Sequence, residues 1–184
     1  MNLMYTNHFL FSHLYLDELI QSEEGSEDAK KLISSLGGWH GGWDDSSLES
    51  ILSTMVEPTL VSLGFNYQRS AESDQIVKLT SEDHEEPLGI GYVVRINKGG
   101  NVDNTVKGRH DAAELIHALQ EGALKWGILT DGKRWRLYNG EELAPYETYF
   151  EVTLKAVLQG EENSQDAAIL FHELFRKAAF LKDE

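Results

Sequence analysis

Residues 123–138, ALKWGILTDGKRWRLY, constrain the fold of this chain more than any other stretch. Trp126, Ile128 and Thr130 alternate with Gly127 and Leu129, which predicts a strand buried on at least one face. Asp131-Gly132 then predicts a two-residue hairpin turn of type I′, which needs positive φ at both central positions. The returning strand sets Trp135 and Leu137 on one side and Arg134, Arg136 and Tyr138 on the other. A helical pattern over 109–123 leads directly into this hairpin.

The hairpin has two readings. Its cations are the wet face of a core element, or Lys133, Arg134 and Arg136 contact a polyanion, with Trp135 and Tyr138 available for stacking. Either way, Trp126 and Trp135 are expected to be mostly buried and Arg134 and Arg136 exposed.

The chain has 184 residues, enough for one well-filled domain and short for two. No apolar run reaches the length of a membrane span, and residues 1–20 lack a basic n-region and a small-residue cleavage site, so the expectation is a cytoplasmic protein. The absence of cysteine excludes disulfides, thiolate metal sites and cysteine nucleophiles. A formal charge of −15 argues against a uniformly phosphate-binding surface. The charge is uneven, however. Residues 1–50 carry two lysines against nine acidic residues, whereas residues 91–140 carry eight Lys/Arg against five Asp/Glu, so a DNA-facing surface belongs in the second stretch.

Helical spacing predicts an amphipathic helix over 7–21 capped by Asn7, and a short helix over 28–36 ended by Gly37-Gly38. The loop GGWHGGW (37–43) holds His40, which has no second ligand at metal spacing. A long helix over 48–63 contains Pro58, which should kink it near Glu57. Three strand-like segments follow at 65–69, 75–80 and 88–96, with SEDHEEP (81–87) as a charged hairpin connection. Residues 96–110 form a Gly/Asn-rich loop, and the chain ends with a strand at 149–154 and a helix over 165–180.

Several of these segments share one resemblance. W-G-I-L-T-D-G-x-x-W-x-L-Y (126–138) resembles the signature near the end of the nuclease-like N-terminal domain of type IIG restriction-modification enzymes, a domain related to that of type I restriction R subunits. LFSHLYLDEL (10–19), the helix at 52–65, YFEVTLKAVL (149–158) and FHELFRKAAFL (171–181) are similar to other segments of that domain, in the same order. The resemblance implies an α/β (α+β) fold with the α-β-β-β-α-β core of the PD-(D/E)XK nucleases, a mixed sheet flanked by helices. Residues 1–45 would be a helical extension packed on a core of 46–184 within a single domain.

In such nucleases two carboxylates hold Mg²⁺, which polarises the scissile phosphate and activates water, and a lysine offsets the transition-state charge. The resemblance places Asp74 at the first carboxylate and Glu57, more readily than Glu49, at the helical acid. In Val93-Val94-Arg95-Ile96-Asn97-Lys98, however, Arg95 stands at the second acid position and Asn97 at the lysine position, with Lys98 beside it. An arginine there repels the cation: two like unit charges at about 4 Å cost roughly 4 kcal/mol at an effective dielectric near 20. Asp103, with Lys107 four residues on, is the one candidate for a migrated acid, and Glu114 or Leu115 stands near the family's glutamine. If the site is impaired, Arg95 is expected to pair with Asp74.

Three readings stay open. The chain is a DNA-related, restriction-modification-associated module with an impaired catalytic site; or an active Mg²⁺-dependent endonuclease with a rearranged site around Asp74 and Glu57; or an acidic protein-interaction module. Lys133, Arg134, Arg136, Lys107 and Arg109 are the expected DNA contacts. The implied partners are DNA and the adenine methyltransferase and target-recognition modules of a restriction-modification system. No methyltransferase N-P-P-Y or glycine fingerprint occurs in this chain.

Overall fold

The computed structural model describes residues 4–37, 47–95, 105–106, 109–162 and 164–181. Its main sheet contains β1 (Tyr5–His8), β2 (Asn66–Arg69), β3 (Ile76–Ser81), β4 (His84–Val93), β7 (Trp126–Thr130), β8 (Arg134–Asn139) and β9 (Tyr149–Thr153). These lie in the order β1-β9-β8-β7-β4-β3-β2. A separate two-stranded ladder joins β5 (Thr105–Val106) and β6 (Arg109–His110). The helices are α1 (His13–Ile20), α2 (Glu23–Leu36), α3 (Leu48–Ile51), α4 (Glu57–Ser62), α5 (Asp111–Glu121), α6 (Leu154–Leu158), α7 (Ser164–Phe175) and α8 (Lys177–Phe180).

The sheet is mixed. β2, β3 and β4 form an antiparallel meander, and the crossover that contains α5 makes β7 parallel to β4. β8, β9 and β1 then continue antiparallel. Strand alternation divides the sheet into two buried faces. Val77, Leu79, Val93, Ile128, Trp135, Leu137, Phe150 and Val152 join a large core with residues of α1 to α4 and α6 to α8. Ile90, Tyr92, Val94, Leu129 and Tyr138 join a smaller core with α5. Within α5, Leu115, Ile116 and Leu119 are fully buried, each worth about 1.5–3 kcal/mol of apolar transfer. Gly127 permits this close approach: a Cβ there would lie 2.8 Å from Leu119 Cδ1 and 2.9 Å from Leu115 Cδ1.

The structure departs from the sequence-based expectations at several points. Residues 5–8 are a strand against β9, and the first helix begins only at His13, capped by the Ser12 hydroxyl. Asn7 is therefore not a helix cap. Its side chain donates to Phe11 O at 2.7 Å and accepts from Phe11 N at 3.2 Å, folding the chain from β1 towards α1. The N-terminal segment is thus part of the sheet, not a purely helical extension. Further on, the connection between β3 and β4 is only Glu82-Asp83, because both strands extend into the charged segment.

The hairpin between β7 and β8 forms, but its turn is not type I′. Gly132 has φ +83°, whereas Asp131 is not among the positive-φ residues. The Asp131 carboxylate instead accepts from Lys133 N at 2.9 Å and Arg134 N at 2.8 Å, replacing the missing ladder bonds. Pro58 produces a widening where a kink was expected. Between α3 and α4 the helix passes through a π-turn at Leu52–Val56, in which Glu57 N–H donates to Leu52 O. The wider turn accommodates a proline that offers no N–H and whose ring crowds the carbonyl four residues back.

None of the described helices is long and apolar enough to cross a membrane.

Candidate functional site

One rim of the sheet gathers most of the described residues that the sequence singles out. Val93 N donates to Gln75 O at 2.8 Å and Gln75 Nε2 donates to Val93 O at 3.2 Å, so the start of β3 and the end of β4 are zipped together. Asp74 and Arg95 sit just beyond those bonds, at the same end of adjacent strands, and both are exposed. Val94 N donates to Thr130 O at 2.9 Å, which brings the end of β7 and the Asp131-Gly132 turn to the same rim. The turn packs on the helix behind it: a Cβ at Gly132 would lie 3.3 Å from Ile51 Cγ2.

That helix supplies two acids, and Arg69 at the end of β2 takes both. Arg69 Nε donates to Glu57 Oε1 at 2.5 Å, and Nη1 and Nη2 donate to the Glu49 carboxylate at 2.6 and 3.2 Å. Glu57 is 8% exposed, and Glu49 lies at the surface. The hydrogen bonds to the two carboxylates, Glu57 first, hold the Arg69 pKa above its ordinary value. The same guanidinium lowers that of Glu49, chiefly through the hydrogen bond that Glu49 accepts. Burial, then the charge and hydrogen bond of Glu57, raise the pKa of Tyr67, two residues before Arg69 on β2.

This clamp escaped the sequence reading. Glu57 was recognisable as an acid facing the sheet, but its partner is a lone arginine on a short exposed strand, twelve residues away in sequence. The expected pairing of Arg95 with Asp74 is absent, since neither residue makes an ion pair among the described residues. Asp131 is nearly buried and committed to the turn. Among the described residues, no group of three His, Asp or Glu side chains is placed to hold a metal ion. Asn97, Lys98, Asp103, Lys107 and His40 lie outside the described residues. Arg109 opens β6.

The hairpin cations divide. Lys133 and Arg134 are half-buried at the rim, and Arg134 Nε lies 3.8 Å from Asp131 Oδ2. Arg136 corrects the expectation of a wet strand face, being only 4% exposed. Its Nε donates to Glu151, its cross-strand partner on β9, and its guanidinium carbon stands 4.4 Å from the centroid of the Tyr149 ring. The strand is wet on neither face because the side chains of Tyr149 and Glu151, across the ladder on β9, cover Arg136. Trp135 is fully buried as expected, whereas Trp126, at the opposite end of the hairpin, is only half-buried.

Chemically, the rim offers the exposed Arg95 and the half-buried Lys133 and Arg134, beside an acid pair that Arg69 already neutralises and the exposed Asp74. No family model, curated protein or solved structure matches the chain.

Proposed function

We propose that this chain is a restriction-endonuclease-like module whose metal-dependent cleavage is lost and which now serves DNA contact or assembly. The observation that carries the proposal is the capture of Glu57 by Arg69 while Arg95 occupies the rim beside Asp74. A divalent-cation site needs converging, unneutralised carboxylates. Here one acid is held by a guanidinium, and a second cation stands where an acid is required. The succession of helix, three antiparallel strands, helix and parallel strand supports a PD-(D/E)XK-type core, as do the family-like segments at 10–19, 126–138 and 149–158.

In this reading Arg95, Lys133 and Arg134 supply phosphate contacts from the rim, and Arg136 holds the sheet together. Target choice and methylation belong to the partner modules of a restriction-modification system. The adenine methyltransferase and target-recognition modules are the partners proposed.

The test is nicking of supercoiled plasmid with Mg²⁺ or Mn²⁺, beside calorimetric Mn²⁺ binding. The expected result is no metal-dependent cleavage and no binding beyond weak surface association. Arg95→Glu with Asn97→Lys should create measurable Mn²⁺ binding that Asp74→Ala removes. Robust cleavage by the unmodified chain, abolished by Asp74→Ala, would overturn the proposal in favour of an active Mg²⁺-dependent enzyme with a rearranged site. Duplex binding that does not weaken with salt, or no binding at all, would favour the acidic interaction module.

A further inference from the structure

The end of the sheet opposite the rim has a different character. β4 and β7 begin there, β8 ends, β9 begins and β1 ends. Large apolar side chains project from it. Leu143 is fully exposed and Tyr146 is 51% exposed on the loop between β8 and β9, and Phe9, just after β1, is 92% exposed. The loop is a tied support: Gly140 N donates to Lys125 O at 2.8 Å, Glu141 N to Asn139 Oδ1 at 2.9 Å and Glu147 N to Ala144 O at 3.0 Å. Phe9 has φ +61°, uncommon outside glycine, and bridges to Tyr149 where the loop enters β9.

Beside the loop, a cleft of about 450 Å³ opens between the starts of β4 and β7 and the end of α8. Leu88, Leu124, Phe180 and Leu181 line it, with Glu141 of the loop at its margin. Trp126, half-buried, lines both this cleft and a neighbouring cavity that reaches Phe11 and Tyr15. Apolar surface therefore runs along the sheet end from the cleft at β4, across the loop, to Phe9 at β1. Four strand spacings of about 4.8 Å make that row about 20 Å long. A helical segment of about thirteen residues covers such a length.

The charge beside the row has one sign. Glu85 and Glu86 at the start of β4 and Glu141 and Glu147 on the loop are exposed. Lys125 is the one lysine or arginine lining the cleft among the described residues, and it lies 4.0 Å from Glu141 Oε2. Duplex DNA and anionic lipid would meet charge of their own sign here. A second copy joined by a two-fold axis would set these acids against themselves. A cationic protein surface is the complement.

We infer that this end of the sheet is a protein-docking surface for a basic amphipathic segment of a partner chain. Leucine-like side chains of the segment fill the cleft and pack on Leu143, Tyr146 and Phe9, while its lysines and arginines face the bordering glutamates. The surface lies at the opposite end of the strands from the rim and does not rest on any DNA contact made there.

The test uses three synthetic helical peptides of about fourteen residues with the full chain: Lys/Leu, Lys/Ser and Glu/Leu. The Lys/Leu peptide should bind at least about tenfold more tightly than either of the others in fluorescence anisotropy at physiological salt. Leu143→Ser with Tyr146→Ser should weaken it about tenfold at an unchanged melting temperature. Phe9→Gly should do the same, and glycine suits φ +61°, so this variant keeps the fold. Glu72→Gln with Glu161→Gln, exposed acids away from this end, should leave binding unchanged. Equal binding of the Lys/Ser peptide, or an equal loss in that control pair, would reduce the surface to diffuse charge attraction and overturn the inference. Tighter binding of the Glu/Leu peptide would overturn the charge of the partner. Self-association of the unmodified chain in sedimentation, removed by Leu143→Ser, would overturn it in favour of a second copy.

Discussion

Arg69 and Glu57 meet at 2.5 Å between the end of β2 and the start of α4, with the carboxylate almost fully withdrawn from water. Removing the cation would leave that carboxylate buried and unpaired, whereas the arginine itself is partly solvated. Arg69→Met should therefore cost about 1–3 kcal/mol, below the range for fully buried pairs, in urea unfolding. Adding Glu57→Gln should recover part of that loss. Additive single-variant effects would show that the pair contributes no coupling.

The second acid on the same arginine gives a pH signature. The hydrogen bond from Arg69 holds the Glu49 carboxyl below its usual range, outweighing an opposing desolvation, and the charge of Arg69 adds to the lowering. The contribution of the pair is complete above the ordinary glutamate pKa of about 4.3 and is lost as pH falls through the depressed value. The stability difference between the unmodified chain and Glu49→Gln should accordingly be constant near neutrality and shrink below about pH 4. A difference that grows on acidification would contradict this sign.

Arg136 and Arg134 are neighbours in one strand with opposite roles. Arg136→Met strands Glu151 next to Tyr149 and should cost about 3–5 kcal/mol, while Arg134→Ala should stay within about 1 kcal/mol. If the rim contacts duplex, Arg134→Ala should lower the salt dependence of DNA binding by about one phosphate contact. A folded Arg136 variant with unchanged melting temperature would mean that the pair is not buried in solution.

The two hairpin tryptophans should separate in the same way. Trp135 is fully buried, edge-on to Phe171 at 5.5 Å between centroids, and its change to Ala should cost about 3–5 kcal/mol. Trp126, half-buried at the cavity, should cost roughly half as much, since part of its surface is already in water. Equal losses in thermal melts would show that the cavity is closed.

The meander, α5 and the hairpin were legible because their apolar residues repeat at strand or helix period over lengths that leave one reading. β1 was not. Phe9, Leu10 and His13 happen to fit a helical stripe, and only the edge of β9, more than 140 residues away, makes a strand of Tyr5–His8. Arg136 was misread for a related reason: alternation places it opposite Trp135 correctly, but the burial of that face depends on α5, Tyr149 and Glu151. Asp74 and Arg95 were placed at one strand end by connectivity alone. The Arg69 clamp was illegible because nothing in N-Y-Q-R announces which helix its arginine will meet.

The π-turn at Leu52–Val56 acts as a phase adjuster. Glu49 and Glu57 are eight residues apart, which in an uninterrupted α-helix, at about 100° per residue, sets them roughly 80° apart around the axis. The extra residue in the wide turn withdraws about 100°, so the two carboxylates fall within about 20° of one line. This alignment lets a single guanidinium serve both. Deleting one residue inside the turn would swing Glu49 out of reach without altering any side chain at the rim. The charge balance of this edge of the sheet is thus adjustable by helix length as well as by substitution, and an insertion or deletion in the helix is a single-step route between a clamped acid pair and a released one.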